Sequence, residues 1–210
     1  MLHNLSLRLA KSLAFNGGLD PSRIPVIAYG LEIILGIVVK TFCFLAIPAV
    51  LGVLPQTLAA FMASALFRLP AGGAHCTGFA RCLFGSIVAF TAIGILARFI
   101  GELGNWILTI FYIVLGLAIL LTLSRVPVDN PSRPVKKPEE RAHMQKWALG
   151  ILFSYVLMAN VLPLTNDLIF AASLGLLLQL FTLLPAGYKL MHHYDMLLIK
   201  IAGSITKGGR

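Results

Sequence analysis

The feature that most constrains this chain is a series of apolar runs, each close to twenty residues long. They cover roughly 25–46, 49–67, 82–100, 105–124, 147–164 and 167–188. An α-helix needs about 20 predominantly apolar residues to cross the hydrocarbon core of a bilayer. We therefore predict an all-α polytopic integral membrane protein with about six transmembrane helices, in a single membrane domain over residues 1–210.

Composition excludes an ordinary soluble fold. Hydrophobic residues make up 58% of the chain and charged residues only 12%, and the mean hydropathy is +0.88. Soluble domains have about a quarter charged residues and less than half apolar ones. A lipid bilayer is itself an apolar solvent, so it accommodates the excess apolar surface.

Residues 1–16 have the pattern of an amphipathic helix. Leu2, Leu5 and Leu9 recur at helical spacing, and Arg8 and Lys11 fall between the apolar positions. Such a helix is typical of the membrane interface. Because these charges interrupt the first apolar stretch, we expect no cleavable signal peptide.

The distribution of lysine and arginine predicts the topology. Basic residues collect in the N-terminal segment, in 68–81, in 125–146 and in the C-terminal tail, whereas the alternate loops contain little besides Arg98. Cytoplasmic loops are the ones that carry such an excess. We therefore expect both termini and both basic loops in the cytoplasm, which requires an even number of spans. The formal charge of +9 then reflects topology, and no nucleic-acid partner is predicted.

The loop 125–146 has two interpretations. Its four prolines predict an extended, helix-poor connector. Under one interpretation it only follows the charge rule. Under the other it binds an acidic peptide or anionic headgroups through Arg133, Lys136 and Lys137.

The main chemical candidates lie between the second and third runs. Gly72-Gly73 precedes His75, and Cys82 begins the following apolar run, with Ser86 one helical turn further. On one continuous helix His75 and Cys82 would be about 10 Å apart along the axis. A base needs a contact of about 3 Å, so the pair can react only if the chain leaves helical geometry between them.

A cysteine and a histidine in this arrangement suit nucleophilic catalysis. The thiolate is the reactive form, imidazole can accept its proton, and a helix N-terminus favours the charge. We expect Arg68 and Arg81 to add positive potential. The alternative is that His75 is an interfacial loop residue and Cys82 a packing residue. Cys76 is a second candidate nucleophile.

Other polar residues do not complete the site. Glu32 and Lys40 are charges in the first run, and Glu32 could orient His75. The further candidates for a third catalytic residue are Asn105, Asn160 and Asp167. Of these, Asn105 and Asp167 are predicted on the other side of the membrane. None can be assigned. His192-His193 is interpreted as part of an interfacial tail, and neither a metal nor a cofactor is predicted.

Several of these elements together resemble one family, AgrB (accessory gene regulator B), over about residues 5–190. The matching elements are Tyr29-Gly30-Leu31-Glu32, Arg68 followed by Gly72-Gly73-Ala74-His75, Cys82 with Ser86, and the proline-containing basic segment 126–135. The family usually has a small residue after the histidine, whereas this chain has Cys76.

The resemblance implies a membrane-embedded cysteine endopeptidase of Gram-positive bacterial quorum sensing. Cys82 would attack the scissile bond of a small amphipathic, AgrD-like pro-peptide at the cytoplasmic face, with His75 as the base. An internal cysteine or serine of the bound peptide would then attack the acyl-enzyme and form a thiolactone or lactone. The expected location is the cell membrane.

A non-enzymatic transporter or scaffold is the rival class. Its pathway would be marked by the charges Glu32 and Lys40 within the first span. Transporters often have internal repeats, and none is evident here. The oligomeric state is left open, a homodimer included.

Overall fold

The computed structural model describes residues 2–74, 76–101, 104, 106–128 and 137–207. In that part the regular structure is helical, which confirms the all-α prediction. The helices are α1 Leu2–Asn16, α2 Ile24–Val50, α3 Leu54–Ala71, α4 Phe79–Ile100, α5 Ile107–Arg125, α6 Pro138–Val161, α7 Asn166–Thr182 and α8 Pro185–Lys207, with a short 3-10 helix at Pro21–Arg23.

The count of six spans is not confirmed. Among the described residues, three stretches are each long and apolar enough to cross a membrane: Pro21–Val50, Arg81–Ile100 and Ile107–Arg125. A fourth is reached if α7 and residues Pro185–Ile201 of α8, which meet at a bend of 89°, count as one broken span. Helices suit this apolar sequence because they satisfy their own backbone hydrogen bonds in lipid.

The chain divides into two compact units, Met1–Ile47 and Pro48–Arg210. In the first unit, the predicted amphipathic helix is present as α1. His3 Nδ1 lies 2.9 Å from Glu32 Oε2, which joins α1 to α2. The second unit contains Cys82 and most of the other predicted site residues. The single domain over residues 1–210 stays a prediction.

In the second unit, α3 and α7 run parallel and are joined by a polar pair near each end. Gln56 donates to Asp167 at 2.6 Å, and Arg68 donates to Gln179 at 3.1 Å. The second pair lies twelve residues after the first on both helices, which is about 18 Å along each axis. Between them Gly175 lies against the backbone of Ala60.

Helix α4 returns antiparallel to α3. The rings of Phe61 and Phe90 pack edge to face with centroids 5.4 Å apart, and Gly94 faces Thr57 nearer the start of α3. Because the two helices are antiparallel neighbours, the end of α3 and the beginning of α4 lie at the same end of the bundle. The loop 72–78 connects them there.

Helices α5 and α6 complete the second unit around α3 and α7. Tyr155 of α6 donates to the carbonyl oxygen of Ala63 in α3 at 2.8 Å. The buried core that these helices share consists of Phe67, Ala71, Val114, Leu115, Ala118, Val126, Ala148, Leu152, Leu176, Leu180 and Leu183.

Two element boundaries differ from the sequence interpretation. Helix α6 begins at Pro138, inside the segment predicted to be extended. Proline is favoured in the first turn of a helix, where its missing N–H costs nothing, and Glu139 and Glu140 suit that turn's dipole. The predicted run 167–188 is divided, because α7 ends at Thr182 and α8 begins at Pro185.

Candidate active site

The loop between α3 and α4 leaves helical geometry through two glycines. Gly72 ends α3 with φ +76°, and its N–H donates to the carbonyl of Arg68 at 2.9 Å. Gly73 has φ +129°. These angles are open to glycine and strained for other residues. His75 lies outside the described residues; its neighbours Ala74 and Cys76 are described and are not helical.

Two side chains hold the first half of this loop. Arg68 Nη2 donates to the carbonyls of Gly73 at 3.2 Å and Ala74 at 2.5 Å. The amide of Gln179 donates to the carbonyl of Gly72 at 2.7 Å and accepts a hydrogen bond from Arg68. Gln179 is 1% exposed, so the charge-assisted network lies away from water, where such bonds are stronger.

Helix α7 also contacts the loop through its backbone. The N–H of Ala74 donates to the carbonyl of Thr182 at 3.0 Å. A Cβ atom at Gly73 would lie 2.5 Å from the Thr182 hydroxyl oxygen. The loop therefore approaches α7 more closely than a residue with a side chain could.

Cys82 lies in the first turn of α4, as predicted. Its N–H donates to the carbonyl of Gly78, the N-cap, at 3.0 Å, and the side chain is half-buried. The N-terminus of a helix carries a partial positive charge. Ser86 donates to the backbone carbonyl of Cys82 at 2.8 Å, so its hydroxyl is engaged within its own helix.

The second half of the loop is held by Asp195 of α8. Its Oδ2 accepts from Thr77 Oγ1 at 2.6 Å and from the Thr77 N–H at 3.2 Å. Its Oδ1 lies 2.5 Å from Arg81 Nε. These contacts from Thr77 and Arg81 engage both oxygens of the Asp195 carboxyl group.

This ion pair corrects the expectation for Arg81. The sequence suggested that its charge would favour a thiolate, but Asp195 compensates that charge directly. Arg68 differs from Arg81 in its acceptors. Among the described residues, its guanidinium donates to neutral amide oxygens. Within the described part of the chain, the charge of Arg68 is therefore not paired with a carboxylate.

Cys76 occupies a different environment from Cys82. It is 8% exposed, and its sulfur lies 3.5 Å from the Met191 sulfur of α8. Burial raises the pKa of the Cys76 thiol, and the neighbouring Cys82 raises it further. The thiolate of Cys76 is therefore disfavoured.

The remaining predicted residues lie elsewhere or are not described. Glu32 belongs to the first unit and contacts His3. Asp167 contacts Gln56 and Asn160 contacts Tyr112, so neither is part of the loop network. Lys137 is the exposed N-cap of α6. Arg133, Lys136 and Asn105 lie outside the described residues.

Sequence reasoning missed four residues of the network: Thr77, Gln179, Thr182 and Asp195. Gln179 is a polar residue inside an apolar run, and Asp195 is the acidic residue of a tail that had been assigned to the interface. An isolated polar residue in such a setting was the available signal. Across the described ranges, no group of three or more His, Cys, Asp or Glu side chains could hold a metal ion.

Comparison with known proteins identifies the family of the chain and assigns no role to individual residues of this site. The model of one protein family, described as "AgrB: Accessory gene regulator B", matches residues 6–183. No curated protein and no solved structure matches the sequence. Since the match covers nearly the whole chain, including the glycine loop and Cys82, the chain belongs to the accessory gene regulator B family.

Proposed function

We propose that this chain is a membrane-embedded cysteine endopeptidase that cleaves a small amphipathic pro-peptide at the cytoplasmic face and promotes its cyclisation. Family membership fits the processing of quorum-sensing pro-peptides by a peptidase. The observation that carries the proposal for this chain is the placement of Cys82. It lies at a helix N-terminus, beside a glycine loop held by Arg68, Gln179 and Asp195.

Cys82 is the nucleophile in this proposal, in preference to Cys76. Cys82 is half-buried in the first turn of α4, so a peptide can reach it, and it lies at the positive end of the helix dipole. Cys76 is buried against Met191, and burial raises the pKa of its thiol. Arg68 holds the glycine loop, and its acceptors among the described residues are neutral oxygens, so no carboxylate there neutralises its charge.

His75 is the general base in this proposal, a role that rests on the family's histidine element. It accepts the proton of the Cys82 thiol, and the thiolate attacks the scissile carbonyl. The C–N bond breaks, the released amine takes the proton from His75, and a thioester to Cys82 remains. An internal thiol or hydroxyl of the peptide then attacks the thioester, which closes the ring and returns the proton to Cys82.

The substrate is a peptide with an amphipathic helix and an acidic tail. The amphipathic part would lie in the membrane interface. The alternation of apolar and charged residues in α1 predicts the same location for that helix. Arg133, Lys136 and Lys137 would attract the acidic tail. This arrangement requires the loop 68–81 and both termini on the cytoplasmic side of the cell membrane, which is where the basic residues predict them.

The helix directions support that topology. The predicted alternation requires the second and last spans to run in the same direction, and α3 and α7 are parallel. It requires the second and third spans to run in opposite directions, and α3 and α4 are antiparallel. Accessibility of single cysteines placed in loops 68–81 and 125–146 to an impermeant thiol reagent in intact cells tests the sidedness.

The decisive experiment is cleavage of a co-expressed amphipathic pro-peptide that carries an internal cysteine and an acidic tail. Cys82→Ser should reduce processing by at least about 1000-fold, because removing a nucleophile eliminates the covalent route. Cys43→Ser is the matched control and should process at the wild-type rate, since Cys43 lies in α2 of the first unit.

Each outcome has a defined meaning. Full processing by both Cys82→Ser and Cys76→Ser, with all variants inserted equally in the membrane, would exclude the cysteine peptidase and favour the non-enzymatic class. Loss of processing in Cys76→Ser with retention in Cys82→Ser would transfer the nucleophile to Cys76. A thioester-linked peptide trapped on Cys82, detected by mass spectrometry and cleaved by hydroxylamine, would directly identify the intermediate.

A further inference from the structure

Asp195 is a buried carboxylate that the proposed reaction does not use. It is 5% exposed, although α8 presents exposed polar residues on its outer side, such as His193. Burying a carboxylate is unfavourable unless it is paired and hydrogen-bonded. Among the described residues, Asp195 has two partners. Thr77 comes just before the first turn of α4, and Arg81 lies within that turn.

The network fixes the backbone as well as the side chains. Asp195 accepts from the main-chain N–H of Thr77 at 3.2 Å and from its hydroxyl at 2.6 Å. Arg81 Nη2 donates to the same hydroxyl at 2.9 Å, which closes a ring of three residues. Because the ring joins both ends of the turn that begins α4, it restricts how that turn can move.

Other residues of α8 contact the same region. Tyr194 donates to the carbonyl of Arg81 at 3.3 Å, and its ring lies against Gly85, where a Cβ atom would be 2.9 Å from the hydroxyl. Met191 contacts Cys76. The inner face of α8 therefore packs on the residues immediately before and after the turn, with Asp195 at the centre.

We propose that Asp195 is a positioning residue for the peptidase reaction, because it holds the turn at Thr77–Arg81 that sets the place of Cys82 relative to the glycine loop. The proposal rests on the proposed function. In this proposal Asp195 does not contact the reacting atoms. Because it is buried, it does not contact the substrate either. Its loss therefore lowers kcat and leaves the KM for the pro-peptide nearly unchanged.

The first test measures steady-state processing in nanodiscs, with a synthetic amphipathic pro-peptide that carries an internal cysteine and an acidic tail. Asp195→Asn should lower kcat by about 10- to 100-fold, the size expected when reacting groups are displaced by about 1 Å. KM should change less than about twofold, because the ground-state contacts remain. Asp195→Glu should recover part of the loss.

Two further variants separate positioning from general damage. The double variant Arg81→Asp with Asp195→Arg exchanges the two charges. It should process the pro-peptide faster than either single variant, since it restores an ion pair. Asp167→Asn is the matched control. It neutralises the carboxylate that pairs with Gln56 near the opposite end of α7, and it should leave kcat unchanged.

Hydrogen exchange gives a readout that does not depend on processing. Asp195→Asn should speed exchange of the Thr77 amide, whose hydrogen bond it weakens, and leave the amides in the middle of α7 protected. Unchanged Thr77 protection would overturn the proposal. Faster exchange with an unchanged kcat would overturn the positioning role and leave the proposed function intact. A wild-type protein that does not cleave the peptide would overturn both.

Discussion

Arg68 of α3 and Gln179 of α7 meet at 3.1 Å and together bind three consecutive backbone carbonyls, those of Gly72, Gly73 and Ala74. The carboxamide uses its oxygen to accept from Arg68 and its nitrogen to donate to Gly72. Glutamate could perform only the first role and lysine only the second. The glutamine is thus chemically matched to its position between a cation and a carbonyl.

Replacing this glutamine should weaken both the loop and the fold. Gln179→Leu keeps a similar volume but leaves the Gly72 carbonyl and one Arg68 N–H without their partner. We expect a loss of at least about 2 kcal/mol in the free energy of unfolding, since each of the two groups left without a partner costs about 1–3 kcal/mol. Thermal unfolding in detergent measures this. Gln145→Leu, which removes only a long hydrogen bond of 3.4 Å from α6 to the Thr122 carbonyl of α5, should change stability by less than about 0.5 kcal/mol.

Gly73→Ala tests the close approach of the loop to α7. Alanine would be strained at φ +129°, and its Cβ would lie 2.5 Å from the Thr182 hydroxyl oxygen. We expect destabilisation of about 1–3 kcal/mol together with a loss of processing. Adding Thr182→Ala should recover only part, because it removes the clash but not the backbone strain.

Gly116→Ala is the matched control for that substitution. Gly116 lies inside α5 with open space where a Cβ would be added. Alanine there should stabilise the helix by about 0.5–1 kcal/mol. Equal effects at the two positions, measured by thermal unfolding, would contradict the role assigned to Gly73.

The reactivity of Cys76 should depend on pH in the manner of a buried thiol. In a chain with Cys43→Ser and Cys82→Ser, we expect the rate of alkylation by iodoacetamide to rise with a midpoint above that of an unperturbed cysteine, because burial raises the pKa of Cys76. Restricted access lowers the rate at every pH but does not move the midpoint. Restoring Cys82 should move the midpoint higher, since a second thiolate repels the first. A midpoint at or below that of a free cysteine, read by mass spectrometry, would contradict the assignment.

The local elements of this site could be predicted from the sequence. The glycine pair indicated the departure from helical geometry, and the apolar run placed Cys82 at a helix start, as found. Both are properties of neighbouring residues. The start of α6 was misplaced because Pro138 was interpreted as a helix breaker, although proline in the first turn favours a helix.

The partners of the loop could not be predicted in the same way. Thr77 and Asp195 are 118 residues apart, and Arg68 and Gln179 are separated by 111. Such contacts depend on which helices are neighbours and on their relative rotation, and periodicity within one helix specifies neither. The bend after Thr182 is what brings α8, and Asp195 with it, to the start of α4.

The parallel packing of α3 and α7 depends on Gly175, which makes it the most direct target for a stability test. A Cβ built there would overlap the backbone of Ala60, and a backbone cannot move aside as a flexible side chain can. Small residues allow membrane helices to approach this closely. Gly175→Ala should therefore separate the helices and cost about 1–3 kcal/mol, as overpacking does.

The helix separation caused by Gly175→Ala should also weaken the two polar pairs that flank Gly175. Gln56–Asp167 and Arg68–Gln179 lie on either side of Gly175, so both hydrogen bonds should lengthen and processing should fall with stability. Gly150→Ala on α6, where nothing lies within 4 Å of the added Cβ, is the control and should not destabilise. If the two variants unfold at the same temperature in detergent, α3 and α7 do not pack as closely as described, and the glycine loop that they hold would lose its structural basis.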